Sequence, residues 1–316
     1  MKGKVIIMKY IAGNTDFKLK NTAVTLGKFD GLHLGHQLLL NQIKSYKSQG
    51  YTTVMFSFLY HPSNLLSEKE FELIYTEEEK KAKLKRSGLD VLISYPFTLK
   101  TRSIEPEAFI RDILVDQLDA KVIAVGNDFH FGYERRGDVS LLKKFEKNYG
   151  YKVIACEKKR SGNQIISSSA IRNELKEGNI EAANAMLGQP YSITGEVLHG
   201  RRIGRTLGMP TTNIIPAQNK LLPPNGVYAS KTLIEGISYP GVTNIGYKPT
   251  VGAEKMRGVE TYLFNFDQDL YGKVIEVSLY TYVRPEVKFD TVEELGVQMH
   301  RDINMAEDYF KKLKVK

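Results

Sequence analysis

The stretch Gly27-Lys28-Phe29-Asp30-Gly31-Leu32-His33-Leu34-Gly35-His36 lies between two different patterns of apolar residues. The apolar run before it, residues 23–26, predicts a buried strand, and apolar side chains at helical spacing follow it as far as Gly50. A glycine-rich turn therefore joins a strand to a helix, with two histidines where the helix begins. The N-terminus of a helix presents unpaired N–H groups and the positive end of its dipole, which suit a phosphate group.

The two histidines of this stretch, His33 and His36, have two further interpretations. They could be loop residues that cap the helix, or they could bind a metal ion. A metal site would need a third and a fourth ligand, and no HExxH or CxxC motif accompanies the pair. The local chemistry alone therefore supports a phosphate site and a plain loop about equally.

The composition is that of an ordinary globular protein, with 42% hydrophobic and 26% charged residues, and 316 residues suffice for two domains. No apolar run approaches the roughly 18 residues of a membrane-spanning helix. The single cysteine, Cys156, allows no internal disulfide, and we predict a reducing cytoplasmic location.

The formal net charge of +9 predicts an anionic partner, for which polyphosphate substrates and nucleic acid are the candidates. No block of lysine and arginine with interleaved aromatic residues is visible in the sequence. We therefore expect small-molecule phosphates as partners, neither nucleic acid nor a membrane, and a monomer or a weak homo-oligomer.

The first half of the chain alternates strand and helix patterns, which predicts a parallel, doubly wound, Rossmann-like α/β sheet. Ligands of such sheets bind beyond the carboxyl ends of the strands. The predicted strands are 4–8, 23–26, 52–58, 91–95, 121–125 and 152–156, and the predicted helices are 34–48, 77–86, 106–118 and 139–148.

The second half has short strands separated by glycine, proline and asparagine, which predicts an antiparallel barrel or sandwich. An apolar stripe from Val292 to Leu313 predicts a terminal helix, for which Asp290 is the expected N-cap. We place the boundary after a pair of helices that ends near Gly188, which gives domains 1–187 and 188–316.

The opening stretch resembles the GxFDGxHxGH signature of bacterial FMN adenylyltransferases, a branch of the HxGH nucleotidyltransferases. Residues 126–138 are similar to the family pattern GxDFxFGxxRxGD, and residues 166–172 are similar to ISSTxIR. The resemblance implies that His33 and His36 are catalytic. It also implies substrate or nucleotide contacts by Gly27, Phe29, Asp30, Gly35, Asp128, Phe129, Ser167, Ser168 and Arg172.

A second candidate site lies in residues 195–213, which are dense in glycine and arginine but contain no Walker A loop. Glycines permit close approach of phosphates, and Thr211 and Asn213 offer neutral oxygen ligands for Mg²⁺. On local grounds a basic surface hairpin is the favoured interpretation.

The pattern GxxxGRxLGxPTxN in this segment is similar to the riboflavin kinase signature, whose family has a six-stranded antiparallel barrel. The family's catalytic glutamate matches Glu260, and Thr211 and Asn213 remain the candidate Mg²⁺ ligands. The resemblance implies further substrate contacts by Gly195, Gly200, Arg205, Gly208, Pro210, Tyr228 and Arg284.

Together the two resemblances cover nearly the whole chain, in the order of the prokaryotic bifunctional riboflavin kinase/FAD synthetases. They imply ATP, riboflavin, FMN and FAD as substrates and products, with Mg²⁺ as cofactor. Three alternatives stay open: one activity alone, most directly FMN adenylylation; a different phosphate acceptor; and a flavin- or RNA-binding regulator. The first stays open because Tyr60, His130, Tyr262 and Asn265 depart from the family patterns.

Overall fold

The computed structural model describes residues 8–59, 71–199, 208–248 and 256–315. The chain divides into two compact units, Met1–Ser167 and Ser168–Lys316. This division lies 20 residues before the boundary that we predict at residue 187, so the pair of helices before Gly188 belongs to the second unit.

The first unit is built on a six-stranded parallel sheet, as the alternating pattern predicts. The predicted first strand, 4–8, falls mostly outside the described residues, and the first strand observed begins at Lys9. In chain order the strands are β1 (Lys9–Ala12), β2 (Thr22–Leu26), β3 (Thr52–Phe58), β4 (Val91–Tyr95), β5 (Ala120–Gly126), the hairpin β6 (His130–Phe131) and β7 (Gly137–Asp138), β8 (Lys152–Cys156), and the hairpin β9 (Arg160–Ser161) and β10 (Gln164–Ile165). The order in the main sheet is β1-β4-β3-β2-β5-β8.

The helices of the first unit begin close to where the sequence predicts them. The predicted helix 106–118 is α-helical only in its first turn and continues as a π-helix. The predicted helix 139–148 is two short helices that meet at Phe145. The helices are α1 (Leu34–Lys44), α2 (Glu77–Ser87), α3 (Leu99–Arg102), α4 (Pro106–Ala108, then the π-helix Phe109–Gln117), α5 (Val139–Lys144) and α6 (Glu146–Tyr149).

The central strands are buried on both faces, which explains why they are continuous apolar runs. Val24, Val54 and Ile93 pack into the core on one side of the sheet. Residues one position away, such as Ala23 and Met55, pack into the core on the other side. This alternation follows from the two-residue period of a strand.

The second unit is a closed antiparallel barrel with helices before and after it, which decides between the barrel and the sandwich. The barrel order is β11-β12-β15-β14-β13-β16. The elements are α7 (Ser168–Glu177), α8 (Ile180–Leu187), β11 (Tyr191–Leu198), β12 (Thr211–Ile214), β13 (Gly226–Ile234), β14 (Ile237–Lys248), β15 (Met256–Leu263), β16 (Val274–Pro285) and α9 (Val292–Val315).

The terminal helix α9 begins one residue later than the predicted cap requires. Thr291 Oγ1 accepts a hydrogen bond from Glu294 N at 3.1 Å, and the Glu294 carboxylate accepts from Asp290 N at 3.2 Å. Thr291 is therefore the N-cap, and the prediction of Asp290 is wrong. The Glu294 carboxylate binds the N–H of the residue before the cap, so the arrangement differs from a capping box, in which it would bind the N–H of the cap itself. None of the described helices is both long and apolar enough to cross a membrane.

A buried ion pair attaches α9 to the barrel. Arg284 on β16 donates to both carboxylate oxygens of Asp302, at 2.9 and 2.7 Å, and Gln298 donates to the same carboxylate at 2.9 Å. Asp302 is 2% exposed. Farther along the helix, Phe310 packs against Ala229 of the barrel.

We expect Asp302→Ala to destabilise the second unit by about 3 kcal/mol, because the substitution leaves the Arg284 guanidinium partly buried without its carboxylate. Denaturant unfolding would measure the loss. Asp308→Ala is the matched control, since Asp308 is exposed and pairs with Lys311 at 3.4 Å, and it should cost less than about 1 kcal/mol. Equal losses in both variants would contradict the structural role of the pair.

Candidate functional site

The turn after β2 is a compact loop with three residues in the left-handed region, Phe29 (φ 49°), Gly31 (φ 92°) and Leu32 (φ 46°). Phe29 is completely buried below it. A Cβ atom on Gly27 would lie 3.2 Å from the Phe29 ring, so the first glycine makes room for this ring. The turn stands at the carboxyl end of a central strand, where a doubly wound sheet binds its ligands.

His33 is the N-cap of α1, and its Nδ1 accepts a hydrogen bond from His36 N at 3.3 Å. A Cβ atom on Gly35 would lie 3.1–3.2 Å from the His33 ring, so a glycine lets the imidazole lie over the first turn. Because Nδ1 is the acceptor, the proton of the neutral ring is on Nε2. His33 therefore presents an N–H donor at the N-terminus of the helix.

The two imidazoles stack with ring centroids 3.6 Å apart, and Phe29 meets His36 edge-on. Burial lowers the pKa of His33 to about 4, and burial, His33 and Lys80 together lower the pKa of His36 well below its usual value. Both rings are therefore neutral near pH 7. Among the described residues no group of His, Cys, Asp or Glu has the arrangement of a metal site, and His36 Nδ1 is buried without a hydrogen-bond partner.

Asp30 lies inside the turn rather than on its surface. It is 7% exposed, and its Oδ1 accepts a hydrogen bond from Ile74 N at 2.9 Å. This contact fastens the segment before α2 to the turn. The structure therefore gives Asp30 a place in the framework of the loop, where the sequence predicts a nucleotide contact.

Lys80 on α2 is a residue of this site that the sequence analysis does not find. Its side chain is 7% exposed, and Nζ lies 2.7 Å from the Glu77 carboxylate and 3.5 Å from Ser57 Oγ. Ser57 Oγ donates to the Lys28 carbonyl in the turn at 3.0 Å. Lys80 stands in a highly charged segment in which three glutamates are followed by lysines and an arginine, which is typical of a solvated helix, so only the tertiary structure identifies it.

The loop after β5 lies at the same edge of the sheet, because β5 is the neighbour of β2. Asp128 is paired with Lys158 at 2.7 Å, and Phe129 stacks on Phe131. His130, at the position of an expected arginine, is exposed. The remaining predicted residues are divided by the unit boundary: Ser167 ends the first unit, whereas Ser168 and Arg172 lie in α7 of the second.

The second candidate site is on the barrel. Thr211 on β12 donates from Oγ1 to Glu260 Oε1 at 2.6 Å, and Lys248 Nζ lies 2.5 Å from Glu260 Oε2. Asn213 stands directly opposite Glu260 in the β12–β15 register. The structure therefore brings together three of the predicted residues and adds Lys248, an ammonium group that the sequence analysis does not single out.

A cavity of about 340 Å³ adjoins this cluster, within the usual size range of small-molecule sites. Pro210 lines it together with Thr211 and Asn213, and Tyr271 and Phe266 contribute aromatic walls. Gly208, with φ 71°, forms the turn that leads into β12. A Cβ atom on Gly195 would meet Ile214 at 3.1 Å, so this glycine serves strand packing.

Two residues predicted to contact substrate make contacts within the barrel, and their substrate contacts stay predictions. Tyr228 is completely buried, and its hydroxyl donates to the Pro224 carbonyl at 2.5 Å. Arg284 is held by Asp302. The predicted residues Gly200 and Arg205, like Tyr60, lie outside the described residues.

The two departures from the kinase pattern have local structural explanations. Tyr262 packs against the apolar cluster beside α9. Asn265 has φ 54°, in the left-handed region that both asparagine and aspartate tolerate better than most residues. Neither residue is one of the partners that bind the Glu260 carboxylate, which are Thr211 and Lys248.

Comparison with known proteins gives a consistent result for both units. The FAD synthetase family model matches residues 16–170, and the riboflavin kinase family model matches residues 187–310. The chain is 40% identical to a bifunctional riboflavin kinase/FMN adenylyltransferase of Buchnera aphidicola, over 96% of this chain and 99% of the relative. It is 36% identical to the Escherichia coli K12 protein of that name, over 91% and 92% of the two chains.

A crystal structure titled as a macrolide-efflux protein from Streptococcus pneumoniae has a similar fold. It is 28% identical, with a TM-score of 0.82 over 93% of this chain and 97% of that chain. The family models leave residues 171–186 unmatched, and the unit division falls before this segment.

We expect His33 to stay neutral until the pH falls to about 4, because its pKa is lowered from 6.5 to about 4 by burial. The unfolded chain binds this proton near pH 6.5 and the folded chain does not, so stability should fall as the pH is lowered from 6.5 towards 4. NMR titration of labelled histidine would measure the pKa. A midpoint near 6.5 for His33 would contradict the burial.

Proposed function

This chain belongs to the family of bifunctional riboflavin kinase/FMN adenylyltransferases, and we propose that it makes FAD from riboflavin with one activity in each unit. The second unit phosphorylates riboflavin with ATP to give FMN. The first unit transfers AMP from a second ATP to FMN, which gives FAD and pyrophosphate. The observation that carries this assignment is that each family model matches one half of the chain, and each half holds a candidate site.

Glu260 is the general base of the kinase reaction in this proposal. Its carboxylate accepts the proton of the terminal ribityl hydroxyl of riboflavin while that oxygen attacks the γ-phosphate of ATP. The support is geometric, because Thr211 and Lys248 each hold one carboxylate oxygen. The adjoining cavity is the place we propose for ATP.

The residues on β12 fit a Mg²⁺ ion. The Thr211 hydroxyl donates a hydrogen bond to Glu260, which leaves its oxygen lone pairs available, and Asn213 lies two positions along the same strand, on the same face. Two neutral oxygen ligands suit an ion whose remaining ligands are water and substrate phosphates. When bound, Mg²⁺ would offset the negative charge of the ATP phosphates.

The adenylyl transfer requires no strong base, because the FMN phosphate is already a nucleophile near neutral pH. His33 Nε2–H and the first-turn N–H groups of α1 stabilise the charge that develops on the α-phosphate. His36 supports the ring of His33 by stacking and contributes a second imidazole. The pyrophosphate-holding roles of Ser167, Ser168 and Arg172 rest on the resemblance of their motif alone.

The setting of the enzyme stays a prediction from the sequence. We propose a cytoplasmic monomer or weak homo-oligomer that acts on small molecules. The positive net charge of +9 favours the approach of ATP and FMN, both of which are anionic.

We expect His36→Ala to lower FMN adenylylation by roughly 10²–10³-fold, because it removes an imidazole from the site of charge development. Riboflavin phosphorylation by the same preparation should be unchanged, because that site lies in the other unit. The two rates would be measured separately by chromatography of FMN and FAD. A variant that lost both activities while remaining folded would contradict the two-site assignment.

Glu260→Gln should have the reverse effect, since it removes the proposed base without changing the side-chain volume. Phosphorylation of riboflavin should fall by about 10²–10⁴-fold, in the range of general acid–base contributions. Conversion of supplied FMN to FAD should continue at the original rate. Unimpaired phosphorylation would mean that another group takes the proton.

The product assay on the unaltered protein separates the alternatives. With riboflavin, ATP and Mg²⁺ it should give FAD through FMN, and with FMN, ATP and Mg²⁺ it should give FAD directly. FAD from FMN alone would mean a silent kinase unit. Absence of product in both mixtures would favour the regulator.

A further inference from the structure

Lys248 reaches Glu260 from an unusual distance along the sheet. In the β14–β15 register Lys248 stands opposite Met256, and Asn244 stands opposite Glu260. The side chains of residues 256, 258 and 260 share one face of β15. The lysine stem therefore runs along the strand, past position 258, before Nζ comes within 2.5 Å of Glu260 Oε2.

Gly258 makes this path possible. A Cβ atom on Gly258 would lie 2.6 Å from Lys248 Cγ and 2.8 Å from Cε, both too close for carbon atoms. Gly258 is not one of the residues with a positive φ, so its backbone does not itself require glycine. The absence of a side chain at position 258 thus leaves a gap that the lysine stem fills.

The Lys248–Glu260 ion pair is partly buried, and it holds the carboxylate in one orientation. Lys248 is 23% and Glu260 33% exposed at the side chain. With Thr211 on one oxygen and Lys248 on the other, the carboxylate is fixed against rotation about its terminal bonds. A carboxylate held by one partner alone would sample other orientations, and a misplacement of about 1 Å in a catalytic group costs roughly 10²-fold in rate.

We propose that Lys248 is a positioning residue of the riboflavin kinase reaction, which holds the Glu260 carboxylate in place through the gap above Gly258. The proposal rests on the proposed role of Glu260 as the base. Lys248 acts through Glu260 and need not touch riboflavin. Removal of its ammonium group should therefore lower kcat for phosphorylation and leave KM for riboflavin unchanged.

The experiment compares four variants of the full chain: Lys248→Met, Lys248→Arg, Gly258→Ala and the double variant Gly258→Ala/Lys248→Met. Lys248→Met should lower kcat by about 10–10²-fold, and Lys248→Arg should restore most of the activity because its guanidinium also binds a carboxylate. Gly258→Ala should lower kcat as well, since its methyl group displaces the lysine stem. The double variant should be no slower than Lys248→Met, because both changes remove the same contact.

Denaturant unfolding of each variant, followed through the second unit, reports whether the barrel is folded, because FMN adenylylation belongs to the other unit. Lys273→Met is the matched control, because Lys273 also pairs with a glutamate, Glu235, at 2.8 Å on the same barrel but in an exposed position. It should leave kcat for phosphorylation unchanged. The proposal would be overturned if Lys248→Met left kcat unchanged or changed only KM for riboflavin. Additive losses of kcat in the double variant would also overturn it.

The outcome of Glu260→Gln separates this proposal from the function on which it rests. If that variant phosphorylates riboflavin normally, the role of Glu260 is wrong and the positioning role falls with it. If Glu260→Gln is inactive while Lys248→Met and Gly258→Ala keep full kcat, Glu260 remains the base and only the positioning role of Lys248 is refuted.

Discussion

The parallel hydrogen bonding of β2 to β3 on one side and to β5 on the other determines where the first unit can bind a ligand. Parallel strands end at the same edge, so the histidine turn and the Asp128 loop meet there although they are far apart in sequence. The turn itself is held from below by Phe29 and from the side by Asp30, whose carboxylate binds Ile74 N.

Burial gives the two imidazoles their chemical character. Their pKa values are lowered, chiefly by desolvation, so both rings are neutral where a free histidine would be partly charged. Neutral imidazole donates a hydrogen bond from one nitrogen and accepts with the other, and His33 uses its acceptor to cap α1. The helix dipole and Lys80 then supply positive potential that the rings themselves do not carry.

In the barrel, the positions of the site residues are set by the register of the paired strands. Antiparallel pairing sets Asn213 opposite Glu260 and brings Thr211 within hydrogen-bond distance of the carboxylate. A catalytic group on a paired strand moves less than one on a loop. The groups that fix Glu260 come from β12 and β14, on either side of its own strand, so the barrel scaffold orients the carboxylate.

The sequence by itself determined the parallel sheet, the antiparallel strands of the second half and the signatures of both families, because these depend on periodicity and on motifs whose members are close in the chain. The strand pattern left a barrel and a sandwich open, and the closed sheet of the tertiary structure decided for the barrel. The sequence also predicts Tyr228 and Arg284 at the substrate and Asp30 at the nucleotide, and these roles stay predictions; the structure adds that all three make contacts within the protein framework. Only the tertiary structure decided that Lys80 and Lys248 belong to the sites. A lysine carries no local sign of its partner, and Lys248 is defined by strand register and by the missing side chain of Gly258.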